Sequence, residues 1–131
     1  WGAMAADQLK LPYIYVRPKP KEHGLGNQIE GYYQDGQSVV VIEDLISTGK
    51  SSLQVCEVLK KQGLHVVGLV AIFSYGFPEA QIAFDSAGIP FFSLTNYETL
   101  ISLSMEKGTL DPALQNTLLN WRQNPGTWQG I

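Results

Sequence analysis

The sequence has one cysteine, no long hydrophobic run and no strong excess of charge of either sign. A lone Cys56 cannot form a disulfide within the chain, so we expect a reducing, cytoplasmic setting. The longest uncharged apolar stretch, Val66–Phe73, is too short to span a bilayer, and the N-terminus has no secretory signal pattern. The net charge of −3 argues against nucleic acid as a partner. We therefore expect neither a membrane nor a nucleic-acid partner.

What remains is an ordinary globular composition, with 44 % hydrophobic and 16 % charged residues. A length of 131 residues suits one hydrophobic core and hence a single domain over residues 1–131. The opening stretch from Trp1 to Leu9 has helical character but neither an initiator-like start nor a cap. We expect the chain to begin inside a helix, with the preceding strand and loop missing.

Strand and helix patterns alternate along most of the chain. The run Val39–Ile42 is unbroken and β-branched, which is typical of a strand buried on both faces. The same reading predicts strands at Tyr13–Val16, Gln37–Glu43, His65–Phe73 and Pro90–Leu94, and helices at Ser51–Gln62, Pro78–Ala87, Asn96–Lys107 and Asp111–Arg122. Such alternation implies an α/β fold, doubly wound, with a mainly parallel sheet and helices on both faces.

The segment that follows the Val39–Ile42 strand has the composition of a phosphate site. Ser47, Thr48, Ser51 and Ser52 supply hydroxyls, Gly49 allows a tight turn, and the next helix presents unpaired N–H groups. The acids Glu43 and Asp44 precede this segment and would repel phosphate, so they suit ribose hydroxyls or the shell of a Mg²⁺ ion.

Two other interpretations of this segment stay open at this point. Gly49-Lys50-Ser51 looks like the end of a Walker A loop, but that motif needs a glycine where Asp44 stands. Alternatively, Glu43 and Asp44 only cap the helix, and the small polar residues only form a turn.

A second candidate segment runs from Pro18 to Gly31, which has no apolar period and is read as a long mobile loop. Arg17, Lys19 and Lys21 concentrate positive charge at its start, so it could form a local anion site. Loops of this length in compact domains are usually functional or disordered.

Together these two segments resemble orotate phosphoribosyltransferases, a branch of the type I phosphoribosyltransferases. VVVIEDLISTGKSS, residues 39–52, is similar to the family's signature for binding 5-phosphoribosyl 1-diphosphate (PRPP). YVRPKPKEHGLGNQIEG, residues 15–31, looks like the mobile catalytic loop of the orotate-specific members. The resemblance continues through VAIFSY, residues 70–75, to Asn124–Trp128, and so covers essentially the whole chain.

The resemblance implies transfer of the phosphoribosyl group of PRPP to orotate, which gives orotidine 5′-monophosphate and pyrophosphate in pyrimidine (UMP) biosynthesis. It implies Mg²⁺ as cofactor, held through PRPP without direct protein ligands, with Asp44 reaching it through water. It also implies a homodimer in which the Arg17–Gly26 loop acts across the interface. The positions that match catalytic residues are Lys21 and His23, with Gly24 and Gly26 as hinges. Those that match PRPP-binding residues are Arg17, Lys21, His23, Glu43, Asp44, Leu45, Ile46, Ser47, Thr48, Gly49, Lys50 and Ser51, and Ser47 also matches a position near the orotate ring.

Two departures from the family pattern affect these expectations. Pro18 stands where many members have a second basic residue, and Lys19 is a candidate replacement. Ser74–Phe77 has no basic residue where many members carry an arginine that helps to bind orotate, which leaves Tyr75 or backbone groups for this role. We also expect the chain to lack the N-terminal part of the orotate pocket, and hence to bind PRPP poorly by itself. A phosphoribosyltransferase for another base and a non-catalytic PRPP-binding module are the alternatives.

Overall fold

The computed structural model describes residues 1–19 and 28–128. The predicted residues Lys21, His23, Gly24 and Gly26 lie outside these ranges. The helices are α1 (Gly2–Leu9), α2 (Lys50–Lys61), α3 (Pro78–Ala87), α4 (Tyr97–Glu106) and α5 (Gln115–Gln123), and short 3-10 turns lie at Pro112–Leu114 and Pro125–Thr127. The strands are β1 (Tyr15–Val16), β2 (Ile29–Glu30), β3 (Ser38–Ile46), β4 (His65–Ser74) and β5 (Phe91–Asn96).

The main sheet has the strand order β3-β4-β5, and both strand pairs are parallel. Each parallel connection passes through a helix, which is the arrangement that the alternating sequence pattern predicted. The parallel α/β fold is therefore confirmed. In the described part of the chain, none of the helices has the length and hydropathy needed to cross a membrane.

The core lies between this sheet and the pair α2 and α3. Cys56 and Leu59 of α2 and Phe84 of α3 are buried there together with Val41 and Leu69 of the sheet. Phe84 is 0 % exposed, and its ring centroid lies 4.7 Å from that of Phe91 on β5. This packing fixes α2, and therefore the start of α2, against the carboxyl end of β3.

The opposite face of the sheet is covered only in part among the described residues. Helix α1 contacts β3, where Gly2 lies close to Ile42. Val40 is nevertheless 51 % exposed and Phe92 is 62 % exposed. The prediction that the Val39–Ile42 strand is buried on both faces is wrong for this structure, because side chains alternate along a strand and α1 covers only part of the second face.

The strands β1 and β2 form an antiparallel pair that closes the base of the Pro18–Gly31 segment. At this base the N–H of Arg17 donates to Gln28 O at 2.8 Å, and Gln28 Nε2 donates back to Arg17 O at 2.9 Å. Ile29 is buried in the core, so the return strand is anchored. Ile29 and Glu30, which the sequence reading placed in the Pro18–Gly31 loop, are therefore strand residues, and their pairing with β1 was not predicted.

Candidate functional site

The candidate site lies where β3 ends and α2 begins. The strand is longer than predicted, since it runs to Ile46 and pairs with β4 up to Ser74. The strand was predicted to end at Glu43, so Asp44 is a strand residue rather than a loop residue, and alternation sends the side chains of Glu43 and Asp44 to opposite faces of the sheet. Only Ser47, Thr48 and Gly49 remain between the strand and α2, which begins at Lys50.

Gly49 gives this short loop its shape. Its φ of +76° lies in the left-handed region, where residues with a side chain are disfavoured. A Cβ at this position would lie 2.6 Å from Cε2 of Phe84, which is too close for ordinary contact. The position therefore requires glycine for its backbone angle and again for the space that Phe84 occupies.

The first turn of α2 leaves backbone N–H groups directed at the loop. The N–H of Leu53 bonds to Gly49 O at 2.9 Å and is the first in the helix to reach a carbonyl four residues back. The preceding N–H groups, up to that of Ser52, lie at the positive end of the helix dipole. Thr48, Lys50 and Ser51 are exposed there and Ser47 is half-buried. The arrangement has the donors that an anion such as phosphate needs.

Ile46 contributes to the loop through its backbone. Its side chain is 1 % exposed and belongs to the core. Its carbonyl accepts from the N–H of Tyr75 at 3.0 Å, which ties the end of β3 to the segment after β4. Leu45 is 42 % exposed on the strand just before it.

Ser52 has a different role from the one predicted for it. Its side chain is 1 % exposed, and its Oγ donates to Glu43 Oε1 at 2.8 Å. The hydroxyl therefore faces the acid on β3 and is not part of the phosphate cradle. The bond joins the first turn of α2 to β3 and fixes one oxygen of the half-buried Glu43 carboxylate. The spacing of nine residues between acid and serine gave no sequence signal for this contact.

Glu43 also affects the electrostatics beneath α2. Burial raises the pKa of the Cys56 thiol above its ordinary value, nearby Lys60 lowers it, and the negative charge of Glu43 raises it slightly further. The hydrogen bond from Ser52 places this carboxylate on the α2 side of the sheet. Asp44 is exposed and has no hydrogen-bond or salt-bridge partner among residues 1–19 and 28–128. The two acids are thus held differently, one fixed and one accessible to a ligand.

Arg17 lies at the base of the β1–β2 hairpin. Its Nη1 donates to Glu30 Oε1 at 3.3 Å, and about two fifths of its side chain is exposed. Its Nε is buried and has no hydrogen-bond partner in the described structure. The exposed part of the guanidinium is the part that can meet an anion. Lys19, two residues further on, is exposed.

A wide cleft of about 630 Å³ runs along β3, between α1, the β1 strand and the start of β3. Its lining is mainly apolar and reaches Glu43 and Asp44 at one end, but it does not include the loop at residues 47–49. Within the described ranges no group of three or more His, Cys, Asp or Glu side chains could hold a metal ion.

Sequence reasoning also missed Arg122, which α5 brings to the end of β4. Arg122 Nη1 pairs with Glu98 Oε1, and Arg122 Nη2 donates to Gly76 O at 3.4 Å. The residues lie 46 positions apart, so only the folded chain brings this cation to the Ser74–Phe77 segment.

Comparisons with known proteins agree with this geometry. The model of the phosphoribosyl transferase domain family matches residues 1–90. Orotate phosphoribosyltransferase of Bacillus subtilis is 52 % identical over 124 residues, which cover 95 % of this chain and 57 % of that protein.

Solved structures give the same result. The orotate phosphoribosyltransferase of Aeropyrum pernix matches 85 % of this chain and 60 % of its own, with a TM-score of 0.70 and 32 % identity. The Mycobacterium tuberculosis orotate phosphoribosyltransferase, in its complex with PRPP, matches 67 % of this chain and 49 % of its own, with a TM-score of 0.56 and 26 % identity. The chain spans between 57 % and 61 % of the length of the curated relatives compared with it.

Proposed function

The chain belongs to the phosphoribosyl transferase domain family, and we propose on this premise that it is the PRPP-binding part of an orotate phosphoribosyltransferase. The reaction joins N1 of orotate to C1 of the ribose while the bond from C1 to pyrophosphate breaks. Its products are orotidine 5′-monophosphate and pyrophosphate, in the pathway that leads to UMP. We also propose that this enzyme is cytoplasmic.

The observation that carries the proposal is the junction of β3, the Ser47–Gly49 loop and α2. Backbone N–H groups converge there at a helix N-terminus, where they can receive the 5′-phosphate of PRPP. Hydroxyls of Ser47, Thr48 and Ser51 add donors around the same position. Lys50 is exposed at the first position of α2 and can add a positive charge to a bound phosphate.

Glu43 and Asp44 are proposed to bind the ribose hydroxyls. Ser52 holds Glu43 by one carboxylate oxygen and leaves the other oxygen to accept from a ribose hydroxyl. Asp44 is exposed at the same end of β3. A single exposed carboxylate fits a Mg²⁺ ion that takes most of its ligands from PRPP and water, and the ion would neutralise charge on the pyrophosphate.

Departure of pyrophosphate needs positive charge on the side opposite the ribose. Arg17 supplies a partly exposed guanidinium, next in sequence to the segment that holds Lys21 and His23. These three residues are proposed to stabilise the charge that develops on pyrophosphate in an oxocarbenium-like transition state. Closure of the Arg17–Gly26 loop over the site of a neighbouring subunit in a homodimer would also exclude water.

The experiment follows orotate consumption by its ultraviolet absorbance, with PRPP and Mg²⁺. It compares the 131-residue chain with a chain extended to the relatives' length that contains the same residues. Adenine, hypoxanthine and uracil serve as control bases. Turnover of orotate and of no control base supports the proposal. Turnover of another base would show that this base, and not orotate, is the substrate. PRPP binding without turnover in the extended chain would indicate a non-catalytic PRPP-binding module.

A further inference from the structure

A second, smaller cavity lies at the carboxyl ends of β4 and β5. Its volume is about 180 Å³, and it is lined by Ser74, Tyr75, Asn96, Tyr97 and Arg122, among others. In parallel sheets, ligands bind outside the carboxyl ends of the strands. Because the N–H of Tyr75 bonds to Ile46 O, this cavity adjoins the strand end that leads into the phosphate loop.

The wall of the cavity nearest that loop is the turn Ser74–Phe77, which is held from several sides. The N–H of Gly76 donates to the buried Ser74 Oγ at 3.0 Å, and Gly76 has a φ of +67°. The ring of Tyr75 stacks on Phe77 with centroids 5.4 Å apart and meets the edge of Trp121 at 5.5 Å. Helix α5 therefore supports the turn directly.

The charges at the cavity come from two side chains. Arg122 is the one Arg or Lys residue in its described lining, and Glu98 is the one Asp or Glu residue. They form an ion pair in which the side chain of Arg122 is 25 % exposed and that of Glu98 is 65 % exposed. Since Glu98 is held mainly at the surface, it can move away at little cost when another carboxylate approaches Arg122.

The neighbouring phenol is sensitive to the same charge. Burial and the nearby Tyr75 raise the pKa of Tyr97, whereas Arg122 lowers it. The positive charge of Arg122 therefore acts on the phenol of Tyr97, which lines the same cavity. A guanidinium offers five N–H donors in a planar fork, and its two assigned bonds leave donors for a ligand.

We propose that Arg122 is a specificity-determining residue, whose guanidinium attracts the carboxylate of an acidic base into this cavity in place of Glu98. The inference rests on the proposed function, in which the base is orotate, an acid at neutral pH. It names the group that selects the acidic base, and it assigns this role to the C-terminal helix. Under this assignment, Glu98 competes with the base for Arg122.

The test measures KM for orotate and for PRPP in a chain extended to the relatives' length, with the variants Arg122→Gln, Arg122→Lys and Glu98→Gln. We expect Arg122→Gln to raise KM for orotate by at least about tenfold, the size expected for loss of one charged contact, with KM for PRPP changed less than about twofold. Arg122→Lys should recover part of the loss because it keeps the charge. Glu98→Gln should leave KM for orotate unchanged or lower it.

A purely structural ion pair gives a different pattern. In that case Arg122→Gln and Glu98→Gln both lower the melting temperature and raise KM for orotate alike, and the inference is overturned. An unchanged KM for orotate in Arg122→Gln also overturns it. Orotate turnover by the extended chain without substitutions tests the proposed function separately. The role of Arg122 can therefore fail while the proposed function holds.

Discussion

Replacing Gly49 by alanine tests whether the phosphate loop is built as described. The substitution adds one methyl group at a buried position with a φ of +76°. Its Cβ would lie 2.6 Å from Cε2 and 3.3 Å from Cδ2 of Phe84. Phe84 is fully buried against Phe91 and cannot turn away freely.

Two costs add at this position. Left-handed backbone costs a residue with a Cβ about 1–2 kcal/mol relative to glycine. Forcing an extra carbon into a packed core costs a further ~1–3 kcal/mol. We therefore expect Gly49→Ala to lower the free energy of unfolding by about 2–5 kcal/mol, a large part of the stability of a small domain.

Gly36 provides a matched control, because it has the same φ of +76° and a Cβ there would meet nothing within 4 Å. Gly36→Ala should cost only the backbone penalty, about 1–2 kcal/mol. Urea unfolding followed by circular dichroism measures both variants. The double variant Gly49→Ala/Phe84→Leu should show favourable coupling, because a smaller side chain relieves the contact. If Gly49→Ala costs no more than Gly36→Ala, the proposed contact with Phe84 is refuted.

Three further predictions concern the site. Ser52→Ala removes the bond to Glu43 and should raise KM for PRPP roughly tenfold in the extended chain, as expected for a hydrogen bond to a charged group. The same substitution should have little further effect on KM for PRPP in a Glu43→Gln background, and an effect of the same size in both backgrounds would contradict this role for Ser52. Lys21→Ala, in a chain of the relatives' length, should cut kcat by orders of magnitude while PRPP binding changes much less, and equal losses in both would make Lys21 a ground-state ligand. Burial raises the pKa of the Cys56 thiol, so its contribution to stability is fully present below the pKa of the unfolded chain and is lost as pH rises through the pKa of the folded chain. Thiol labelling at pH 8 should therefore be slow in the native chain and fast in guanidinium. Fast labelling of the native chain would show that α2 opens.

The fold was largely predictable because its signals are local. Apolar runs and turn residues located β4 and α3 closely, and helix periodicity located α2 to within one residue at each end. The end of β3 was predicted at Glu43 because Asp44 looks like a loop residue, whereas pairing with β4 continues the strand to Ile46. The β1–β2 pair was missed because two residues on each strand give no recognisable pattern.

The site was predictable where its residues follow one another in sequence. The loop Ser47–Gly49 and the acids before it are consecutive, so residue types alone indicated phosphate and ribose. Ser52 facing Glu43 and Arg122 facing Gly76 depend on how separate elements pack. No pattern along the chain predicts these two contacts. Each gives a hydrogen-bond partner to a group for which the sequence indicated none.

Orotate consumption by the extended chain tests the central claim most directly. With PRPP and Mg²⁺ present, the proposed function predicts loss of orotate absorbance with one pyrophosphate formed for each orotate consumed, and no reaction with adenine, hypoxanthine or uracil. Stable PRPP binding without orotate loss, or a preference for a different base, would contradict it.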